Sequence, residues 1–403
     1  MELKKYKLGD LAQVTRGASL SGEYYATQGN YIRLTCGNFD YRNNCFKENQ
    51  SKDNIYYVGD FKEDFLLEKG DIITPLTEQA IGLLGSTARI PESGKYIQSQ
   101  DIAKIDCNES LLDKNFAFYL ISSACVKQQL SAAAQQTKIR HTSPDKIKDC
   151  TVWIPSLDVQ KRIGRILTDI DNKIAINRQI NDNLEAMAKQ LYDYWFVQFD
   201  FPKEEGKPYK SSGGAMVWNE KLKREIPKEW MASNYTDLFT IGNGQTMPQN
   251  EGLVPAYGGN GIVKMVEISN YPACIIIGRV GANCGSIHYS KVPCWVSDNA
   301  ISICSKNDDW QPFLFYSLKL YNLSKNKGGS SQPLITHEAL KHLYFPMSEK
   351  HINQFCHIVN ELQDLIYSNQ QEILKLTKQR DELLPLLMNL SLIHISEPTR
   401  HAQ

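Results

Sequence analysis

The chain has 403 residues, 42% of them hydrophobic, with 45 basic and 45 acidic side chains and a formal net charge of zero. That length suits about two or three domains, each able to bury a core. The charged start from Met1 to Lys7 is unlike a secretory leader, and no apolar run approaches the roughly 18 residues of a membrane span, so a cytoplasmic protein is expected. Zero net charge argues mildly against a nucleic-acid binder, but it says nothing about clustering of charge. The ten cysteines contain no CxxC pair and read as free thiols in a reducing compartment. Cys274, Cys284, Cys294 and Cys304 fall ten apart, yet zinc ligands come in close pairs, so no metal site is expected.

In chain order, Leu8 to Gly17 opens with a short amphipathic turn ending in glycine. Tyr31 to Leu34 and Ile55 to Val58 read as strands, with Gly37-Asn38 and Asn43-Asn44 as turns between them. A turn at Glu68 feeds a buried strand ending at Thr74, followed by strands at Thr87 to Ile90 and Tyr96 to Ile105. The pattern from Leu111 to Leu130 predicts one helix with Phe116, Tyr119, Leu120 and Ala124 on one face. The polar stretch Ala134 to His141 follows, and Thr151 to Pro155 closes a first domain, 1–155.

From Ile163 to Trp195 the apolar residues keep a seven-residue repeat. Ile163, Ile170, Asn177, Leu184 and Leu191 take one seam position, and Leu167, Ile174, Asn181, Ala188 and Trp195 the other. That argues coiled coil. The same ruler gives Phe355, Leu362, Asn369, Leu376 and Leu383, then Val359, Ile366, Ile373, Arg380 and Leu387. Asn177 and Asn369 stand at equivalent levels and are expected to fix register at some loss of stability. The two helices are assigned to 156–199 and 347–389, with a linker at 200–230 and a second domain at 231–346. Pro385 should kink or end the second helix.

The second half repeats the first. Asp237-Leu238 with Gly244 matches Asp10-Leu11 with Gly17, and Ala273 to Ile277 matches Asp71 to Thr74. Ser297-Asp298-Asn299-Ala300 loosely matches Ser99-Gln100-Asp101-Ile102, and Phe313-Leu-Phe-Tyr316 matches Phe116-Ala-Phe-Tyr119. Ser331 to Ile335 echoes Gln136 to Ile139, and Tyr344-Phe-Pro346 echoes Trp153-Ile-Pro155 just before each long helix. The expected fold is α+β: two similar domains separated by a long antiparallel two-helix coiled coil, as a pseudo-two-fold internal repeat. Helices of this length run to about 60 Å at about 1.5 Å per residue.

That order, with Ile154-Pro-Ser-Leu-Asp-Val-Gln160, Leu191-Tyr-Asp-Tyr-Trp-Phe196 and Ile276-Ile-Gly-Arg-Val-Gly-Ala-Asn-Cys-Gly285, resembles the specificity subunit of a type I restriction-modification system over residues 1 to 389. The resemblance implies two target recognition domains, each reading one half of a split, asymmetric site in double-stranded DNA. It implies a helical spacer that docks two modification subunits, which methylate adenine with S-adenosylmethionine, and restriction subunits with ATP-driven motor and endonuclease activity. S-adenosylmethionine, ATP and Mg2+ would then be bound by those partners, and no catalysis belongs to this chain.

The residues agree in what they lack. No Asn/Asp-Pro-Pro-aromatic tetrapeptide, GxxxxGK[ST], GxSxG or HExxH occurs. Side chains with paired donors and acceptors read base edges, while Lys, Ser, Thr and loop amides hold phosphate. In the first domain the DNA-binding candidates are Arg16, Asn38, Arg42, Thr77, Gln79, Arg89, Lys138, Arg140 and His141. In the second they are Tyr257, Asn260, Lys264, Arg279, Asn283, Lys325, Lys327, Ser330 and Gln332, on glycine-punctuated loops that let amides approach phosphate. Lys138, Arg140 and Lys327 stand foremost, between domain helix and coil in both repeats. Each is otherwise an ordinary solvated loop residue.

Lys173, Arg178, Asp182, Glu185 and Lys189 lie off the first seam, where the resemblance puts partner docking and where charges are more often simply solvated. Beyond Asn389 the run Leu390 to Gln403 breaks the heptads and reads as a non-native tail. The alternative function is a coiled-coil scaffold whose two domains bind protein or glycan.

Overall fold

The all-apolar runs Ile72-Ile73 and Ile275-Ile276-Ile277 become central strands because both of their faces are covered, and alternate residues along a strand point to opposite sides. Ile72 packs with Val14, Ile105 and the Phe116 to Ile121 helix, whereas Ile73 packs with Leu34, Phe39 and Tyr96 on the other side. Ile275 and Ile277 likewise join the aromatic core around Phe313, while Cys274 and Ile276 face Tyr257 and Val296. Each fully buried side chain of this size contributes about 1.5–3 kcal/mol.

The computed structural model describes residues 3–41, 43–50, 53–78, 83–133, 140–203, 206–321, 323 and 335–389. Residues 1–175 with those from 374 onward make one unit, and residues 176–373 the other; the boundaries fall inside the two long helices, Leu157–Tyr192 and Glu349–Asn389. No helix among the described residues is long and apolar enough to cross a membrane.

In the first unit a four-stranded antiparallel sheet runs in the order Ala88–Arg89, Ile72–Pro75, Ile102–Cys107, Ala12–Arg16. A smaller sheet holds Tyr96–Ile97 parallel to Tyr31–Arg33. Lys4–Lys7 pairs with Thr151–Ile154, which leads into the first long helix. In the second unit the order is Phe239–Asn243, Ala300–Ser305, Cys274–Gly278, Ile287–Ser290, again antiparallel. Trp295–Val296 lies parallel to Glu251–Gly258, and Met231–Asn234 pairs with Tyr344–Met347 ahead of the second long helix.

Four local expectations change. The helix predicted from Leu111 to Leu130 is two, Lys114–Ile121 and Ala124–Ala133. Asp113 caps the first by accepting from Phe116 N at 2.9 Å, and Ser122 bonds back to the Phe118 carbonyl where it ends. The run from Tyr96 to Ile105 is two strands, because Gln98 is buried with its amide donating to the Thr15 and Ile102 carbonyls at the turn. The stretch 200–230 is more than a linker: Phe201 stacks on Tyr209 at 4.7 Å and on Trp230 at 5.0 Å, and Met216–Asn219 forms a hairpin with Arg224–Pro227. Pro385 does not end the second long helix, which continues for about one turn to Asn389.

Half of the predicted seam residues are buried, and the rest, among them Ile170, Asn177, Leu184 and Asn369, are half-buried. Ile163, Leu167, Ile174, Ala188, Phe355, Val359, Ile366, Leu376 and Arg380 are buried. In the second unit Asn177 Nδ2 donates to Glu372 at 3.0 Å and Asn369 Nδ2 to Asn181 at 2.9 Å. In the first unit Arg380 meets Asp171 at 3.1 Å, and Leu383, Leu384, Leu387 and Met388 pack on the core that includes Ile163 and Leu167. At the end of the first long helix Tyr192, Trp195 and Phe196 enter the second core, with Phe196 4.8 Å from Phe313, whereas Tyr194 is exposed. Residues 390–403 lie outside the described residues.

Candidate nucleic-acid interface

In the first unit, the loop leaving the buried Ile72–Pro75 strand turns into Thr77–Glu78, which pairs antiparallel with Arg140–His141. Thr77 therefore sits directly opposite His141 and Glu78 opposite Arg140. Two candidates 64 positions apart in sequence are neighbours here, and His141 is exposed. Thr77 Oγ1 lies 3.0 Å from Cys36 Sγ, tying this strand pair to the loop that carries Asn38. Arg16, also exposed, is steadied by Nε donating to the Gln100 carbonyl at 2.7 Å.

Two first-domain candidates are occupied elsewhere. Asn38 is buried, its Oδ1 accepting from Thr35 N at 2.9 Å and its Nδ2 donating to the Lys47 carbonyl at 3.3 Å, so it holds the loop together from inside. Arg89 lies against the Lys114–Ile121 helix, donating to Asn115 at 2.9 Å and stacking 4.6 Å over Phe118. Burial holds its guanidinium pKa below the ordinary value despite the neighbouring Tyr119, Asp171 and Asp113. Arg42, Gln79 and Lys138 lie outside the described residues, and of Arg140 only the backbone is described.

In the second unit three loops converge. A Cβ placed on Gly259 would stand 3.5 Å from Gly278 Cα, 3.6 Å from Asn283 Cβ and 3.7 Å from the Asn299 carbonyl, so the Tyr257 to Asn260 turn touches the other two predicted or matched segments. Arg279 N donates to the Asn299 carbonyl at 2.9 Å, and Ser286 Oγ donates to the Gly259 carbonyl. Asn260, Asn283, Asp298 and Asn299 are exposed around this contact. Asparagine offers a donor and an acceptor side by side, the pair that matches an adenine edge. Asp298 and Asn299, which match Gln100 and Asp101 in the repeat, are not among the residues expected to bind DNA, and the Asn299 carbonyl beside Gly259 and Arg279 is what brings them to the same surface.

Tyr257 is buried, its phenol pushed up to about 12 by burial, and so it supports the turn from beneath. His288 lies under Gly261, its ring pKa held down by burial. Lys264 is half-buried and reaches the Gln249 carbonyl at 3.4 Å. Lys325, Lys327, Ser330 and Gln332 lie outside the described residues. Cys274 and Cys294 are core thiols 3.6 Å apart, and no group that could hold a metal ion occurs among the described residues.

Each of the two α+β units holds a four-stranded antiparallel sheet and part of both long helices, which defines the class as a two-unit α+β protein. The chain belongs to the family of the type I restriction modification DNA specificity domain, whose model matches residues 1–186 and 227–382. Its function is therefore DNA sequence specificity in type I restriction-modification, and the alternative of a protein- or glycan-binding scaffold falls away.

The chain is 23% identical over 301 residues to the type I restriction enzyme MjaIX specificity subunit of Methanocaldococcus jannaschii, covering 68% of each. It is 27% identical over 199 residues to the HindI specificity subunit of Haemophilus influenzae, covering 49% of this chain and 41% of that one. The fold matches the crystal structure of a type I restriction-modification S subunit from M. genitalium with a TM-score of 0.63 at 18% identity, over 96% of both chains.

Proposed function

We propose that this chain directs a type I restriction-modification complex to a split, asymmetric site in double-stranded DNA, one recognition domain reading each half. The observation that carries this is that the family match falls in two blocks, and that each block holds a four-stranded sheet with the same strand order. Ala12–Arg16 and Phe239–Asn243 each lie at one edge beside the strand that precedes the Phe-x-Phe-Tyr helix, and the buried apolar run lies next to that. Such correspondence supports an internal repeat. Domains 1–155 and 231–346 are the reading heads in this account, and 156–199 with 347–389 the spacer.

The spacer is read as an antiparallel coiled coil. Support comes from residue numbers that fall on one helix as they rise on the other: Asn177 with Glu372, Asn181 with Asn369 in one unit. Exposed apolar residues off the seam, Ile166, Ile176, Ile180 and Met187 on the first helix and Ile358 and Leu365 on the second, suit docking of two modification subunits. Two of the charges expected on that outer face already have internal partners, Glu185 with Tyr316 and Lys189 with Asp193. S-adenosylmethionine, ATP and Mg2+ belong to the modification and restriction subunits, which supply methyl transfer and cleavage, while this chain supplies the address.

The DNA contacts are assigned to the loops around Thr77, Arg140 and His141 with Arg16, and around Asn260, Arg279 and Asn283 with Lys264. The chain assembled with its modification subunits, selected against a randomised duplex library, should enrich two short words at fixed separation. Its binding should fall steeply with salt, since neutralised phosphates release counterions. Enrichment of no motif, or binding indifferent to salt, would overturn the proposal.

A further inference from the structure

We infer that Tyr119 with Asp171, and Tyr316 with Glu185, are positioning latches that fix each recognition domain on the first long helix and thereby restrict the gap allowed between half-sites; this rests on the split-site reading above. The two tyrosines close the repeated motifs Phe116-Ala-Phe-Tyr119 and Phe313-Leu-Phe-Tyr316. Both are buried, and both donate to a carboxylate on the same helix: Tyr119 Oη to Asp171 Oδ2 at 2.6 Å, and Tyr316 Oη to Glu185 Oε2 at 2.9 Å. Asp171 and Glu185 each follow a seam residue, Ile170 and Leu184, so they hold the same heptad position.

Each carboxylate is also held by a cation within its own unit. Arg380 Nη1 reaches the other oxygen of Asp171 at 3.1 Å, and Lys319 Nζ reaches Glu185 Oε1 at 2.5 Å. Gln363 Nε2 donates back to the Tyr316 hydroxyl at 3.1 Å, closing the second network. Burial raises both phenol pKa values, with the adjacent carboxylate adding to the effect, so each tyrosine stays protonated and donates throughout the range in which the carboxylate accepts. Close packing backs the first latch: a Cβ on Gly164 would come within 2.7 Å of Phe116 N, so the domain helix rests directly on the long helix one heptad before Asp171.

Packing sets how closely each domain approaches the helix, and the directional hydrogen bond adds a preference for one register. Loss of the hydroxyl leaves the ring and its packing in place. The head then keeps its fold and its base contacts while its orientation on the spacer relaxes.

The test uses the chain assembled with its modification subunits and a randomised duplex library, reading the bases of each half-site and the distribution of gap lengths separately. Tyr119→Phe and Tyr316→Phe should retain the half-site bases and spread the gap to neighbouring lengths, with a near-native circular dichroism spectrum. Asp171→Asn, which still offers an acceptor to Tyr119, should spread it less. Tyr235→Phe, which removes a buried hydroxyl outside the latches, should leave the gap unchanged. A single sharp gap in both latch variants, or equal spreading in Tyr235→Phe, overturns the latch while leaving the split-site reading intact. A wild-type complex that enriches no split motif overturns that reading and the latch with it.

Discussion

Asn369 donates from Nδ2 to Asn181 Oδ1 at 2.9 Å, while Asn177 bonds instead to Glu372. The equivalence of Asn177 and Asn369 in the heptad pattern is thus one of place and not of partnership. Asn369→Leu alone leaves the Asn181 amide without its partner and should cost about 1 kcal/mol. The double variant Asn181→Leu with Asn369→Leu should raise the melting temperature while loosening register. Asn177→Leu should stay within about 0.5 kcal/mol, because its bond lies at the surface. Thermal melts of the three variants check this, and a larger effect at Asn177 than at Asn369 would contradict the pairing.

Acid should weaken the second unit through His351. Its ring lies 4.0 Å from Phe201 and 5.4 Å from Trp230, and burial, with a smaller push from the Lys350 charge, lowers its pKa to about 4. The unfolded chain binds this proton from about pH 6.5 downward while the folded chain still excludes it. Stability from this group is therefore full above about 6.5 and is lost as pH falls toward about 4. Denaturant melts across that window should show the decline, and His351→Phe should flatten it.

Gly244 cannot accept a side chain. A Cβ there would lie 1.7 Å from the Ser297 carbonyl oxygen, and the corresponding atom on Gly17 would lie 2.2 Å from that of Gln98. Backbone must move in both cases. Gly244→Ala should destabilise by about 1–3 kcal/mol, measured by chemical denaturation, with an unchanged melt as the contrary result.

Loop and core candidates should separate cleanly. Asn283→Ala and Asn260→Ala should change the bases enriched in one half-site and leave the melting temperature alone, since both side chains are exposed. Arg89→Ala, which strips the bond to Asn115 and the contact over Phe118, should lower the melting temperature without changing any enriched base. The reverse pattern would move Arg89 back to the DNA surface.

Much was legible without coordinates. Seven-residue spacing picked out Ile163, Leu167, Phe355 and Val359 as inward residues, and the paired Phe-x-Phe-Tyr motifs marked one helix in each half. Continuous isoleucine identified strands covered on both faces. Asn38, Tyr257 and Arg89 are polar residues on turns or short strands, where residue type does not disclose whether a side chain points out or in.

The sequence by itself determined which apolar residues face inward along the helices and the central strands, because that follows from their local periods. Only the tertiary structure decided the partners of polar groups. Thr77 meets His141, Tyr119 meets Asp171, Tyr316 meets Glu185, and Asn369 meets Asn181 rather than Asn177. A hydrogen bond depends on the position of two atoms brought together from distant parts of the chain, and no local period carries that distance.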